Sequence, residues 1–252
     1  MRGGDSGNTI DLGDAQGLGG VDTAVFTSLT SVTIEGGNGH DTITGTINFT
    51  DVIDGGDGQD VITVVGTASA TVDAGDGDDT VNGGSAGDVI NGGDGNDVLE
   101  GEDGHDRLTG ELGDDTLNGK SGDDSILGGE GTDRLFGGNG DDTLDGGRDD
   151  DSLYGHNGDD RLLGDHGNDS LKGGNGNDTL IGSDGNDKMY GERGDDQLSG
   201  GDGRDTLNGA AGDDILIGGD GNDTLLGGSG RDIALGDLGD CLLYTSDAAD
   251  DT

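Results

Sequence analysis

Between Ala74 and Leu235 an apolar residue returns at every ninth position: Val81, Ile90, Leu99, Leu108, Leu117, Ile126, Leu135, Leu144, Leu153, Leu162, Leu171, Leu180, Met189, Leu198, Leu207, Leu216, Leu225 and Ala234. Two places before each stands an aspartate: Asp79, Asp88, Asp97, Asp106, Asp115, Asp124, Asp133, Asp142, Asp151, Asp160, Asp169, Asp178, Asp187, Asp196, Asp205, Asp214, Asp223 and Asp232. Numbered within the nonapeptide, aspartate is position six and the apolar residue position eight. Glycine holds position one except at Ala74, and position four except at Ala86 and Asp149. Positions seven to nine predict a three-residue strand, with position eight facing one way and its neighbours the other. The glycines at one, two and four predict tight turns with φ > 0. Repetition at one fixed period, without insertion, predicts a stacked repeat architecture rather than an ordinary globular domain.

The flanks are less regular. Within residues 1–73, Gly36-Gly37-Asn38-Gly39-His40-Asp41 and Gly55-Gly56-Asp57-Gly58-Gln59-Asp60 are clean turns, but Asp41, Asp60 and Asp79 follow one another at 19 residues. Thr46–Asp54 and Thr67–Asp73 are rich in Thr, Val and Ile and are expected to be strands without the aspartate turn, the extra residue forming a bulge in each coil. Gly3–Asp11 fits the repeat with Asn8 in the aspartate place, and the β-prone Asp22–Glu35 is expected to cap or start the stack. After Gly236–Asp240, Cys241 stands where aspartate is due, and residues 241–252 leave the pattern. The expected organisation is an irregular section 1–73, a regular section 74–240 and a tail 241–252 foreign to the protein, the whole being a fragment of something longer.

Composition then narrows the class. Glycine supplies 61 of 252 residues and proline none; 56 acidic residues face 11 basic ones for a net charge of −45, and 27% of residues are hydrophobic. By these figures alone the chain is a disordered polyanion. Such a charge repels nucleic acid and anionic membranes, so the expected partners are cations, with no nucleic acid and no membrane insertion. No apolar run approaches the ~18 residues of a spanning helix. The lone Cys241 excludes an intrachain disulfide.

The nonapeptide resembles the RTX (repeats-in-toxin, hemolysin-type) family, whose repeat is G-G-x-G-x-D-x-U-x with U large and apolar; Gly92-Gly93-Asp94-Gly95-Asn96-Asp97 is a strict match. The resemblance implies an all-β parallel β-roll, a right-handed β-solenoid with two nonapeptides per coil, in which aspartates 18 residues apart share an edge. It implies multiple Ca²⁺ ions between successive turns, held by turn carbonyls and by the position-six carboxylates above together with Asp41 and Asp60. All-oxygen ligation at this density suits Ca²⁺ and not zinc. It further implies a Ca²⁺-induced folding module of a secreted, extracellular protein that leaves a bacterial cell by type I export.

Other motifs dissolve into the repeat. Ser85, in Gly83-Gly84-Ser85-Ala86-Gly87, mimics a hydrolase elbow but is position three of a turn. Gly119-Lys120-Ser121 lacks the upstream glycine of a phosphate loop. His40, His105, His156 and His166 read as solvated turn residues, and Arg193-Gly194-Asp195 falls inside a turn. No catalytic residue is expected, so the chain reads as no enzyme. Alternatives are the repeat region of an exported protease, lipase or alginate epimerase, or an adhesion module with a polysaccharide or cell-surface partner. For the latter, position nine places Phe136, Tyr154, Lys172 and Tyr190 on one sheet and Leu127, Leu163, Ile181, Ile217 and Leu235 on the other. Arg107, Arg134, Arg161 and Lys188 recur at position seven, consecutive members on opposite sheets, and so are not expected to form one basic patch.

Overall fold

The structure is a computed structural model that describes residues 8–11, 23–29, 32–47, 51–236 and 242–244. Among these, every regular element is a strand. The chain divides into two compact units, residues 1–126 and 127–252.

Within each unit, consecutive strands alternate between two sheets, and every pairing described below is parallel. In the first unit, sheet I runs through Val32–Asn38, Asp51–Asp57, Ala70–Asp76, Val89–Asp94 and Arg107–Leu112. Sheet II runs through Thr42–Ile47, Val61–Gly66, Thr80–Asn82, Val98–Asp103 and Thr116–Ser121. In the second unit, sheet I runs from Thr143–Arg148 through Arg161–His166, Thr179–Asp184, Gln197–Gly203 and Ile215–Gly221 to Ile233–Leu235. Its sheet II runs from Arg134–Asn139 through Ser152–Asn157, Ser170–Asn175, Lys188–Arg193 and Thr206–Ala211 to Thr224–Ser229 and Leu242–Tyr244. Two nonapeptides therefore make one coil, and the fold is an all-β parallel solenoid.

The strands are longer than the three residues expected. Val98–Asp103 is typical, covering positions seven to nine and then one to three of the next repeat. The glycine pair does not end the strand, because its backbone stays close enough to the next coil to keep the ladder: Glu102 pairs with Lys120 and Gly138 with His156. Position eight fills the core, and Leu99, Leu135 and Leu162 are fully buried. Flanking it on the same inward row lie the position-six aspartate and the position-one glycine.

The three turn glycines also divide their labour differently from the expectation of φ > 0 at each. Positions two and four adopt positive φ, as in Gly93 (104°) and Gly95 (143°), whereas position one does not. Position four is crowded from behind: a Cβ on Gly95 would strike the carbonyl oxygen of Gly77 one coil earlier. Position two is more tolerant and carries Glu102, His156 and Glu192 at φ of 76°, 78° and 76°.

In the early coils the register is 19 residues, with Thr33 opposite Val52 and Val61 opposite Thr80, and it changes to 18 where Val72 meets Ile90. Among the described residues, the ladders of Thr42–Ile47 with Val61–Gly66 and of Asp51–Asp57 with Ala70–Asp76 run without a register shift, whereas the ladder of Thr23–Leu29 shifts opposite Thr46 and Ile47. The register shift that does occur in this section lies between Thr27 and Leu29. At the other end, Leu242–Tyr244 continues in phase against Thr224–Leu226. Most of the rest of the tail, and of the segments 1–7 and 12–22, lies outside the described residues, so the readings placed on those segments are not addressed by the structure.

Candidate metal centre

The alternation of the strand turns the position-six side chain inward, towards the stack rather than the solvent. Asp41, Asp60, Asp79 and each later member through Asp223 is buried, with at most 3% of its surface exposed; Asp232 is half-buried. Stacking by coils places these side chains in columns. In the first unit the backbone N–H of Asp60 donates to Oδ1 of Asp79 (2.7 Å), that of Asp79 to Oδ1 of Asp97 (2.8 Å) and that of Asp97 to Oδ1 of Asp115 (2.7 Å). A second column links Asp88, Asp106 and Asp124 in the same way (2.7 Å each). In the second unit one column runs Asp133, Asp151, Asp169, Asp187, Asp205 and Asp223, the other Asp142, Asp160, Asp178, Asp196, Asp214 and Asp232. The main-chain carbonyls of most of these aspartates are also engaged: Val98 N–H donates to Asp79 O (2.9 Å) and Ser170 N–H to Asp151 O (2.9 Å).

Oδ1 is thus satisfied along the columns, and in many members Oδ2 is not. In Asp60, Asp79, Asp88, Asp97, Asp106, Asp151, Asp160, Asp169, Asp178, Asp187, Asp196, Asp205 and Asp214 this second oxygen is buried without a hydrogen-bond partner. Burying an ionised oxygen in this way is costly unless a proton or a cation meets it. Burial accordingly pushes Asp151 up to about 8 and Asp79, Asp88 and Asp178 to about 7. It pushes Asp97, Asp124, Asp160, Asp169, Asp187, Asp196 and Asp205 to about 6. The backbone N–H bond to Oδ1 pulls each value down, and in most of them nearby carboxylates raise it further.

The orphaned oxygens explain the glycine at position one. A Cβ on Gly155 would collide with Oδ2 of Asp160 and lie 2.7 Å from the carbonyl oxygen of Gly173; on Gly83 it would lie 2.8 Å from Asp88 Oδ2 and 2.9 Å from Gly101 O. Position one is empty so that a carboxylate and a carbonyl can face the same space. The coil that lacks the aspartate supports this reading. Val64 stands in register with Gly45 and one coil before Gly83, and Ala70 takes the aspartate place before Asp88, donating its N–H to Asp88 Oδ1 (2.6 Å). Both are buried, at 2% and 3% exposure. Side-chain volume has moved from position six to position one. Gly200→Val is therefore expected to destabilise the fold by about 1–3 kcal/mol through overcrowding of Asp205 Oδ2 and Gly218 O. The double variant Gly200→Val/Asp205→Ala should recover part of that loss in thermal unfolding.

The chemistry offered is oxygen only. Among the described residues no three His, Cys, Asp or Glu side chains converge on one point, and the groups that face the position-one space are a carboxylate oxygen and a main-chain carbonyl, such as Asp160 Oδ2 and Gly173 O. That donor set fits a hard cation of flexible coordination such as Ca²⁺, and not the nitrogen and sulfur ligation of zinc.

A second ladder on the outside of the turn was not legible beforehand. Side chains at position five accept from the backbone N–H of the residue one coil later: Asp114 N–H donates to Asn96 Oδ1 (2.7 Å), Asn177 N–H to Asp159 Oδ1 (2.7 Å) and Asp213 N–H to Asp195 Oδ1 (2.8 Å). His40 and His105 serve the same purpose, accepting at Nδ1 from Gln59 N–H (3.0 Å) and Asp123 N–H (2.8 Å). His166 lies 3.0 Å from Asp184 Oδ2, and His156 stacks beside Tyr154. Ser85 donates its hydroxyl to Gly66 O (2.6 Å), and Lys120 pairs with Glu100 (3.2 Å). The abundance of Asp and Asn at position five was the available signal.

A family model for the RTX calcium-binding nonapeptide repeat matches residues 31–47 and 48–64 and, in overlapping segments, residues 73–234. A search of curated proteins gives no match. With its inward aspartate columns, its position-one vacancies and this match over most of its length, the chain belongs to the RTX calcium-binding repeat family.

Proposed function

We propose that this chain is a Ca²⁺-driven folding module of an exported bacterial protein, unfolded where Ca²⁺ is scarce and folded where it is abundant. The observation that carries the reading is the run of buried Oδ2 atoms without a hydrogen-bond partner at Asp151, Asp169, Asp187 and Asp205, successive members of one column. At neutral pH such a column is tolerable only when a cation lies among the carboxylates. Asp41, Asp60 and the position-six series from Asp79 to Asp232 would hold the ions together with turn carbonyls, and the ions would supply charge neutralisation between coils. The residues themselves fix the coil spacing through the Oδ1 and carbonyl hydrogen bonds. Family membership supports secretion, through the type I route, and leaves the parent protein's own activity to regions outside the repeats.

The test is a Ca²⁺ titration followed by far-UV circular dichroism, with Asp151→Asn beside the wild type. Asparagine keeps an oxygen to accept from Asp133 N–H, now 2.8 Å from Oδ1, but replaces the charged Oδ2 with an amide. The Ca²⁺ midpoint is expected to rise several-fold. A midpoint that does not move would count against sharing of ions along the column.

A further inference from the structure

In the second unit the two outward sheet faces differ in charge. On sheet II the strands read RLFGGN, SLYGHN, SLKGGN, KMYGER and TLNGAA, with Arg134, Lys172, Lys188 and Arg193 set against Glu192. On sheet I they read TLDGGR, RLLGDH, TLIGSD, QLSGGDG and ILIGGDG, bearing Asp145, Asp165, Asp184, Asp202 and Asp220 against Arg148 and Arg161. The position-seven series does divide between the sheets, but Arg134 and Lys188 fall on the same one, with Lys172 and Arg193 beside them. In a chain of net charge −45, aspartate is missing from these sheet II strands.

The same strands carry a built surface. Phe136 and Tyr154 stack with centroids 5.0 Å apart and planes at 11°. The Lys172 ammonium lies 5.4 Å from the Tyr154 ring centroid and 6.0 Å from that of Tyr190, so a cation is held between two tyrosines. Alongside runs an amide ladder, Asn175 donating to Asn157 (2.8 Å) and Asn157 to Asn139 (3.0 Å). Position two is His156, Gly174 and Glu192 on successive strands. The missing side chain at Gly174 opens a cleft of about 220 Å³, walled by Tyr154, His156, Lys172 and Glu192 and floored by Gly173 and Gly174.

We propose that this face binds a linear polyuronate, a polysaccharide whose sugar rings carry carboxylates. The cleft is shallow and of a size for one sugar ring. Lys172 would meet its carboxylate, Glu192 and His156 its hydroxyls, and the Tyr154 ring edge its C–H surface. Phe136 to Tyr190 spans three strand spacings, about 14 Å, so that neighbouring sugars reach Arg134 or Lys188 and Arg193. The two flanking rings pre-position the ammonium, which lowers the ordering cost of binding. Charge complementarity selects an anionic polymer. Glu192 in the cleft wall disfavours a ring that carries more than one anionic group, and the ring-sized cleft with its hydroxyl partners favours a sugar over the phosphodiester backbone of nucleic acid.

The experiment uses the full chain in saturating Ca²⁺, titrated calorimetrically with polygalacturonate fragments too short to be gelled by Ca²⁺ and, for comparison, with dextran, dextran sulfate and polyglutamate. Polygalacturonate is expected to bind, less tightly as salt rises. Lys172→Gln should weaken it about tenfold. Gly174→His, which fills the cleft with the residue that position two already carries at His156, should weaken it at least as much. The inference is overturned by absence of binding, by equal affinity of wild type and both variants (which would mean Ca²⁺ bridging of carboxylates anywhere on the surface), or by equal or tighter binding of dextran sulfate or polyglutamate. Lys172→Gln, at a position outside the core, decides the matter if Gly174→His does not fold. Circular dichroism on the same samples separates this inference from the calcium reading: a β spectrum without binding removes only the former.

Discussion

Chelated at neutral pH, the chain is expected to give the far-UV spectrum of a coil, and to convert to a β spectrum in one cooperative step as Ca²⁺ reaches millimolar levels. The core provides one aliphatic side chain for nine ordered residues, such as Leu99 then Leu108, and this is too little apolar burial to offset the conformational entropy of so glycine-rich a chain. Against that small gain stand columns of buried carboxylates spaced one coil apart. Because the position-six carboxylate bonds to the neighbouring coil's N–H, loss of order at one turn loosens the next, and cooperativity along the stack follows. Mg²⁺ should substitute poorly, since it demands a tighter and more regular shell than a turn of carbonyls provides. A β spectrum unaffected by chelator would overturn the calcium-driven reading.

Acid should do without metal what Ca²⁺ does at neutral pH. An aspartate in the unfolded chain titrates near 3.8, whereas burial raises Asp79 to about 7 and Asp151 to about 8. Between those limits the folded carboxyl keeps a proton that the unfolded one has released. This contribution to the stability of the metal-free fold is therefore fully present below the unfolded value, falls by ~1.4 kcal/mol per pH unit for each such group as pH rises from there towards its folded value, and is gone above about 6 to 8. A chelated sample taken from about pH 8 to about pH 5 is expected to gain β structure. By the same linkage, Ca²⁺ binding near neutrality should release protons, visible as a dependence of the calorimetric heat on the buffer's ionisation enthalpy. A metal-free chain equally disordered at both pH values would show that burial is not what sets these groups.

The ladder of Asp79, Asp97 and their successors could be read from the sequence because two periods coincide there, nine in the residues and 18 in the coils. The inward row at position eight was legible for the same reason. The role of the position-one glycine was not. A sequence shows that Gly155 is glycine, and conformational freedom is the usual explanation; only the fold shows that Asp160 Oδ2 occupies the place of its Cβ. The strands run longer than three residues because, although Gly-Gly reads as a turn, in a stack the second glycine of the pair finds its partner in the coil beside it rather than in its own, as Gly138 and Gly174 do with His156. His105 illustrates a third case. Its Nδ1 does the work of an asparagine oxygen, an equivalence of one acceptor atom that residue type alone conceals.

The pairing of Leu153 with Leu135 and Leu171, each 18 residues away, gives the molecule a parity that its nine-residue chemistry lacks. Removing one nonapeptide between Phe136 and Lys188 would leave every remaining turn with its glycines and aspartate, and Ca²⁺ uptake per turn would be unchanged. Every strand downstream of the cut would nevertheless change sheets, so that Tyr190 and Lys188 could no longer share a face with Phe136 and Arg134. Removing two would restore them. Selection for metal binding alone tolerates gain or loss of any number of repeats, whereas selection for a patterned surface admits only even numbers.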